Sequence, residues 1–167
     1  RELLRRCFEA PETFRPTRTN RQITEEAAQA FATTAERLRA AGHPAEEVSH
    51  FLTQCLFCFF AEDVGLLPGR MFERLVGNLN AEAAAMRSGL QQLFVNMRDG
   101  GLFGADSIPW FNGGLFLKID VPLISADDVA ALRTAAGLDW SAIDPGIIGT
   151  LFERGLDPKK RSQLGAH

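Results

Sequence analysis

The sequence predicts an all-α fold, an irregular multi-helix bundle with a glycine- and aromatic-rich loop or short hairpin insert near residues 102–123. Two observations favour this class. Apolar residues recur at spacings of three and four through most of the first hundred residues, which is the period of an amphipathic helix. Capping residues, glycines or prolines bound these stretches, and no long strand pattern interrupts them before the insert.

The first two predicted helices supply the centre of the bundle. The first covers residues 22–41, with Asn20 or Thr24 as its N-cap and Gly42 at its end. The second begins with Pro44 at its first helical position and continues until Gly65 and Pro68 stop it. Its middle is apolar on nearly all sides, which is typical of a helix packed against several neighbours.

Four later elements complete the prediction. A short helix is expected over 70–79, and another runs from a cap at Asn80 to about Met97. Within the insert, residues 115–119 are expected to form a brief strand. Ser125 then caps a helix that Gly137 terminates, and Asp144-Pro145 opens a last helix through Phe152.

Composition indicates one globular domain, with an uneven distribution of charge. The 167 residues have a formal net charge of −3, which argues against a domain devoted to nucleic acid. Residues 1–21 nevertheless carry six Arg against three Glu, and the tail from Glu153 is also basic, whereas the middle is acidic. The longest apolar run, Cys55–Ala61, is too short to span a bilayer, and no signal peptide is found. A cytoplasmic location without membrane contact is expected.

Cys55-x-x-Cys58 and the adjacent Glu62-Asp63 are the candidates for a metal or redox site. The cysteine pair lies in the middle of an apolar helix without a second pair, so burial as small hydrophobic residues is favoured. For the two acids, a salt bridge to Arg70 or Arg74 is favoured over catalysis. A metal-dependent or redox enzyme using these residues is kept as the less favoured alternative.

No cofactor loop is encoded in the glycine-rich insert. Its glycines match neither G-x-G-x-x-G after a strand nor the G-x-x-x-x-G-K-[ST] phosphate loop. Asn112-Gly113-Gly114 is better explained as a tight turn held by flanking aromatic side chains. The sequence therefore predicts no catalytic, cofactor-binding or metal-binding residue in this chain.

Three segments carry a resemblance to a known family: residues 56–63 (LFCFFAED), 111–116 (FNGGLF) and 149–158 (GTLFERGLDP). They resemble the helical spacer domain of MmeI-like type II restriction-modification enzymes. The resemblance implies a bacterial parent protein with an S-adenosylmethionine-dependent adenine N6 DNA methyltransferase domain. It often includes a Mg²⁺-dependent endonuclease of the Asp/Glu-x-Lys type. No catalytic residue of the family maps onto this chain.

The resemblance also implies a domain organisation. Residues 1–19 are expected to be a linker or the end of a preceding domain, residues 20–156 the helical spacer, and residues 157–167 the start of a connection to the methyltransferase. The partners are then the flanking domains and, through the parent, DNA. Lys159, Lys160 and Arg161 are the candidate contacts to DNA phosphate, although solvation is the simpler interpretation of three exposed cations.

A second function class stays open. The chain could instead be a free-standing helical protein-interaction module without a DNA role. Such a module needs a contiguous exposed apolar surface, and the aromatic segment 103–116 is the place to look for it. Burial of those aromatic side chains in the core would remove the main support for this alternative.

Overall fold

The structure is a computed structural model that describes residues 19–111, 114–146 and 148–150. Its longer helices are α1 (Asn20–Ala40), α2 (Ala45–Asp63), α3 (Met71–Val76), α4 (Ala83–Asp99) and α5 (Ala126–Ala136). An antiparallel hairpin of β1 (Gly101–Phe103) and β2 (Asp106–Ile108) follows α4. Short 3-10 turns lie at Pro68–Arg70, Gly114–Phe116 and Trp140–Ala142, and helical backbone returns at 145–150, residue 147 aside. The all-α prediction is confirmed, whereas the domain boundaries stay predictions.

The predicted helix caps are right in one case and misplaced in others. Ser125 caps α5 as predicted, in a reciprocal pair of bonds with Asp128. Helix α1 is capped by Thr19, so the prediction of Asn20 or Thr24 is wrong. The Thr19 hydroxyl accepts from the Gln22 amide at 3.2 Å, and the Gln22 side chain accepts from the Thr19 amide at 2.9 Å. A glutamine three residues after the cap makes Thr19 the better choice.

Three other boundaries differ from the predictions. Pro44 is the residue before the first turn of α2, and its carbonyl accepts from the Val48 amide at 3.1 Å. Helix α3 is shorter than the predicted 70–79: it begins after Gly69 and Arg70, which have positive φ angles of 66° and 50°, and it ends at Val76. Asn80 caps nothing, since α4 begins at Ala83 after Glu82.

The predicted strand over residues 115–119 is also wrong. Leu115 and Phe116 belong to a 3-10 turn, and irregular backbone follows them. The strands of this insert are β1 and β2, which pair in the register Gly101↔Ile108. A lone strand at 115–119 would have left one row of backbone donors and acceptors unpaired, and the turn avoids that cost.

Helix α2 is the centre of the fold, as its all-round apolar pattern predicts. Phe59 stacks on Trp140 with ring centroids 4.6 Å apart and an interplanar angle of 3°. Phe31 and Phe72 meet the other sides of Phe59 edge-on. Aromatic pairs of this kind add to the free energy of burial, so these contacts tie α1, α3 and the Trp140 turn to one helix.

Arginine side chains link neighbouring elements by ion pairs and hydrogen bonds. Arg37 of α1 pairs with Asp128 of α5, with Nε and Oδ1 3.2 Å apart. Arg133 donates to the Val76 carbonyl at 3.1 Å, at the end of α3. These bonds satisfy helix-terminal carbonyls and acids that would otherwise lack partners. None of the helices within the described ranges is long and apolar enough to cross a membrane.

Candidate functional site

The aromatic insert is anchored on the central helix. Phe57 receives two rings edge-on, Phe111 at 5.7 Å and Phe116 at 5.6 Å between centroids. Phe116 also meets Phe94 of α4 at 5.5 Å. Phe116 is buried and Phe111 half-buried, so the ends of the FNGGLF motif serve to fix this loop to α2 and α4.

Gln54 makes the polar counterpart of that anchor. Its side-chain nitrogen donates to the Leu115 carbonyl at 2.9 Å and to the Lys118 carbonyl at 3.0 Å. The imidazole Nε2 of His50 lies 2.9 Å from the same Lys118 carbonyl, so the Nε2–H tautomer can donate there. Gln54 is fully buried, and its Oε1 has no hydrogen-bond partner. The side-chain nitrogen of Gln54, and not its oxygen, thus holds residues 115–118.

Sequence reasoning missed Gln54 and His50 as anchors. The one available signal was a pair of polar residues, four positions apart, on a face that is otherwise apolar. Their partners lie 61 to 68 positions further along the chain. No local pattern identifies a bond of that separation.

A smaller part of the insert stays exposed. Trp110 is 64% exposed, and Leu102 and Leu117 are exposed to a similar degree. Ile108 and Phe116 are buried, and Phe103 is half-buried. The interaction-module alternative therefore keeps isolated apolar side chains, while the largest aromatic cluster of the insert faces the core.

Glu62 binds the start of the next helix rather than an arginine. Its Oε1 accepts from the amides of Phe72 and Glu73, the latter at 3.0 Å, in the first turn of α3. The predicted salt bridge to Arg70 or Arg74 is wrong, because Arg70 pairs with Glu73 and Arg74 with Asp106.

Glu62 binds backbone amides of α3 for a simple physical reason. A short helix leaves several amides unpaired at its amino end, and a carboxylate satisfies them at favourable dipole orientation. Burial raises the pKa of Glu62 above its usual range, while the two amide bonds act in the opposite direction. The contact is a structural joint between α2 and α3.

Cys55 and Cys58 are both buried within α2. Burial raises the pKa of each thiol well above the ordinary value. The Cys58 sulfur lies 3.6 Å from the Met97 sulfur, in an apolar contact between α2 and α4. Because thiolates are the nucleophiles and metal ligands, protonated buried thiols favour a packing role. Among the residues described by the structure, no group of three His, Cys, Asp or Glu side chains is placed to hold a metal ion.

The two ends of the helical body meet at one cleft. Its cavity volume is about 780 Å³, and its walls come from the first turns of α1 and from residues 141–145. The lining side chains are those of Asn20, Arg21, Thr24, Glu25, Ser141, Ala142, Ile143, Asp144 and Pro145. We call it the chain-end cleft, because residues near both ends of the described chain line it.

Charge separates the helical body from its flanking segments. The described residues contain 16 Asp and Glu against nine Lys and Arg, a net charge of −7, and the remaining residues carry five acids against nine bases, a net charge of +4. Each arginine of the described ranges has a hydrogen-bond or ion-pair partner, and Lys118 lies 3.4 Å from Asp120. The acidic excess of the chain therefore lies within its described residues.

The structure does not place the candidate phosphate contacts, because Lys159, Lys160 and Arg161 fall outside the described residues. The last helix begins at Pro145 as predicted, and residues 145, 146 and 148–150 are helical. Its predicted end at Phe152 also lies outside the described residues.

Residues 46–116 match the family described as MmeI, helicase spacer domain. This range contains α2, α3, α4, the hairpin and the aromatic anchor. The resemblance predicted from the sequence is confirmed over these residues, which include the segments 56–63 and 111–116, whereas 149–158 lies outside the match.

Two curated proteins are also similar to this chain. DNA methyltransferase A of Bacillus subtilis (strain 168) is 32% identical over 70% of this chain and 14% of its own length. L-rhamnose-1-dehydrogenase of Scheffersomyces stipitis is 29% identical over 71% of this chain and 48% of its own length. The chain thus spans a small part of the first relative and about half of the second. No solved structure matches.

The two relatives differ in their named activities, and this chain covers less than two thirds of either one. Apart from its helices, the described part of the chain contains a single antiparallel hairpin.

Proposed function

We propose that this chain is the helical spacer of a bacterial DNA-modification enzyme. In the parent protein it would orient a nuclease region relative to an S-adenosylmethionine-dependent adenine N6 methyltransferase domain. The observation that supports the proposal most strongly is the match of residues 46–116 to the MmeI spacer. The relevant partners are the flanking domains of the same chain and, through them, DNA.

The architecture suits a connector because side-chain contacts fix neighbouring elements to one another. Glu62 binds the start of α3, Gln54 holds the aromatic insert, and Arg37 links α1 to α5. Cores packed in this way deform little and transmit position between their ends. A connector needs this property more than it needs a reactive group.

The parent's cofactors would bind outside this chain. S-adenosylmethionine would belong to the methyltransferase domain, and Mg²⁺ to a nuclease where one is present. Lys159, Lys160 and Arg161 would contact DNA phosphate where the chain continues toward the methyltransferase. Such contacts fix position on the duplex without reading its sequence.

The test is methyl transfer by the 167-residue chain and by the longer parent protein. Both are incubated with labelled S-adenosylmethionine and DNA, and label at adenine N6 is measured. The proposal expects transfer by the parent and none above background by the chain alone. Transfer by the chain alone would contradict a connector role, and a parent lacking methyltransferase activity would contradict the DNA-modification role.

The interaction-module alternative rests on the exposed side chains of Leu102 and Trp110. A Trp110→Ser variant tests it, since Trp110 is largely exposed and its loss should leave the core intact. If the variant of the 167-residue chain unfolds at the same midpoint as the native chain but no longer forms a stable complex with another protein, the alternative gains support.

A further inference from the structure

We propose that α3 is a conformational latch of the helical body, which opens and closes as a single unit and is held shut by one charged side chain at each end. Glu62 of α2 holds its amino end, and Arg133 of α5 holds its carboxyl end. This moving part lies beyond the proposed connector function, and only its consequence for the connector depends on that function.

Helix α3 is too short to be stable by itself. It has six residues, Met71–Val76, and helices of this length are unstable in water without tertiary contacts. The first amides and the last carbonyls of any helix have no partner within it, so a helix this short leaves most of its backbone polar groups to other parts of the chain. The helical form of α3 therefore depends on its neighbours.

The charge at each end of α3 has the sign that the helix dipole favours. At the amino end, the Glu62 carboxylate accepts from the Glu73 amide at 3.0 Å. At the carboxyl end, Nε of Arg133 donates to the Val76 carbonyl at 3.1 Å. An acid at the amino end and a base at the carboxyl end both stabilise a helix. Because the two side chains come from different helices, α3 closes only where α2 and α5 are both in place.

The turn before α3 contains a strained residue. Arg70 has φ 50° and ψ 41°, in the left-handed region that is unfavourable for a side chain other than glycine. Such a conformation persists only when surrounding contacts impose it. The side chain of Arg70 is exposed and pairs with Glu73, inside the same segment. Opening of α3 therefore relieves this strain, and the hold on its two ends opposes that release.

Burial keeps the closed state dominant. Met71, Phe72 and Val76 are buried, and Phe72 meets Phe59 of α2 edge-on with ring centroids 4.8 Å apart. Opening exposes these apolar side chains to water, which makes the open state a minor one. Helix α3 contacts α2, α4 and α5, so its opening removes a contact that these helices share. In the proposed connector, on which this consequence rests, opening of α3 would loosen the body without unfolding α2 or α5.

The first test uses the native 167-residue chain. Amide hydrogen exchange is followed by NMR at increasing denaturant for Phe72, Glu73 and Gly77 of the α3 segment and for Phe59 in α2. We expect the three α3 amides to share one free energy of opening, lower than that of Phe59 and nearly independent of denaturant, because a short segment exposes little surface. If they follow Phe59 at every denaturant concentration, α3 opens only by global unfolding and the latch is ruled out.

The second test removes each hold separately. Arg133→Met keeps an apolar stem but no donor, and Glu62→Leu keeps the volume but no acceptor. We expect Arg133→Met to speed exchange at Glu73, the opposite end of α3, by about tenfold or more, because hydrogen bonds to charged groups contribute that much. Glu62→Leu should likewise speed exchange at Gly77. Glu62→Gln keeps an acceptor oxygen and should lie closer to the native chain than Glu62→Leu.

The matched control is Arg37→Met, which removes the ion pair between α1 and α5 without touching α3. Exchange in α3 should change by less than about threefold in this variant, since distant sites act independently. Circular dichroism spectra verify that each variant is folded, and the native-chain test decides the matter if one is not.

Two results of the second test would overturn the latch. Faster exchange confined to the end that was changed would indicate two independent helix caps. Equally fast exchange in Arg37→Met would indicate general loosening of the body. None of these results bears on methyl transfer by the parent protein, so the proposed connector function would be judged separately.

Discussion

The carboxyl end and the middle of helix α2 show how one element makes two kinds of joint. At its carboxyl end, Glu62 is a buried charge that binds backbone amides of the adjacent α3, ten and eleven positions later. In its middle, Gln54 is a buried neutral side chain that holds carbonyls more than sixty positions later. The first joint is local and sensitive to protonation, whereas the second is distant and independent of charge.

Both joints depend on the apolar centre between them, which gives the largest expected effect. Phe59→Ala removes a ring that is 2% exposed and packed against Trp140, Phe31 and Phe72. A loss of about 3–5 kcal/mol in the free energy of unfolding is expected. Chemical denaturation measures it, and a change below about 1 kcal/mol would mean that the aromatic cluster does not form as described.

The distant joint is broken next. Gln54→Ala removes the donor of the Leu115 carbonyl and leaves the Lys118 carbonyl with His50 alone, so a loss of about 1–3 kcal/mol in the free energy of unfolding is expected. Relative to the native chain, amide hydrogen exchange in the variant should be faster around residues 114–118 and should change less in α1. As a matched control, Thr53→Ala changes a neighbouring hydroxyl that bonds only to the Ser49 carbonyl of its own helix. Equal exchange in the two variants would argue against a specific anchor.

The local joint is distinguished by its pH dependence. Burial raises the pKa of Glu62 in the folded chain, so the folded state holds the proton more tightly than the unfolded state. Protonated Glu62 therefore adds to the stability of the folded chain. This contribution is fully present below the ordinary carboxyl pKa, and it is lost as pH rises through the raised pKa of the folded chain. Glu62→Gln does not titrate and should gain stability relative to the native chain between about pH 4 and pH 7.

Unfolding curves of the native chain and the Glu62→Gln variant across this pH range measure the difference. The Gln54→Ala variant serves as the reference, because its difference from the native chain should be nearly constant with pH. If the free energy of unfolding of Glu62→Gln instead falls relative to that of the native chain as pH rises, the amide bonds outweigh burial and lower the pKa of Glu62.

The smallest expected effect concerns the thiols between these joints. Cys55 and Cys58 are buried and their pKa values are raised, so neither should react with iodoacetamide in the folded chain at neutral pH. Mass mapping of the two peptides should show label only after denaturant is added. Rapid labelling without denaturant would place at least one thiol at the surface and reopen the redox alternative.

The sequence predicts those parts of the fold that depend on neighbours along the chain. The all-α class, the capping box of Ser125 and the central position of α2 follow from spacing and cap chemistry alone. The N-cap of α1 is missed by one residue, because Thr19, Asn20 and Thr24 are all plausible caps and only Gln22 distinguishes them.

What could not be predicted depends on distant partners. The amides bound by Glu62 belong to a helix whose start shifts with Gly69 and Arg70, which have positive φ angles. The partners of Gln54 become neighbours only when the insert folds back on α2. The approach of the first turn of α1 to residues 141–145 likewise follows from how α1 and the Trp140 turn pack, and no local pattern encodes it.

The most direct measurement for a connector is the position of DNA cleavage relative to the methylated adenine in the parent protein. Residues 20–150 are replaced by a flexible glycine–serine linker, and cut positions and adenine methylation are mapped by sequencing. We expect methylation to persist. We also expect cleavage, which occurs at a fixed distance from the methylated adenine in the native parent, to spread over many positions. Cut positions that stay as sharp as in the native parent would contradict a spacer that sets the distance.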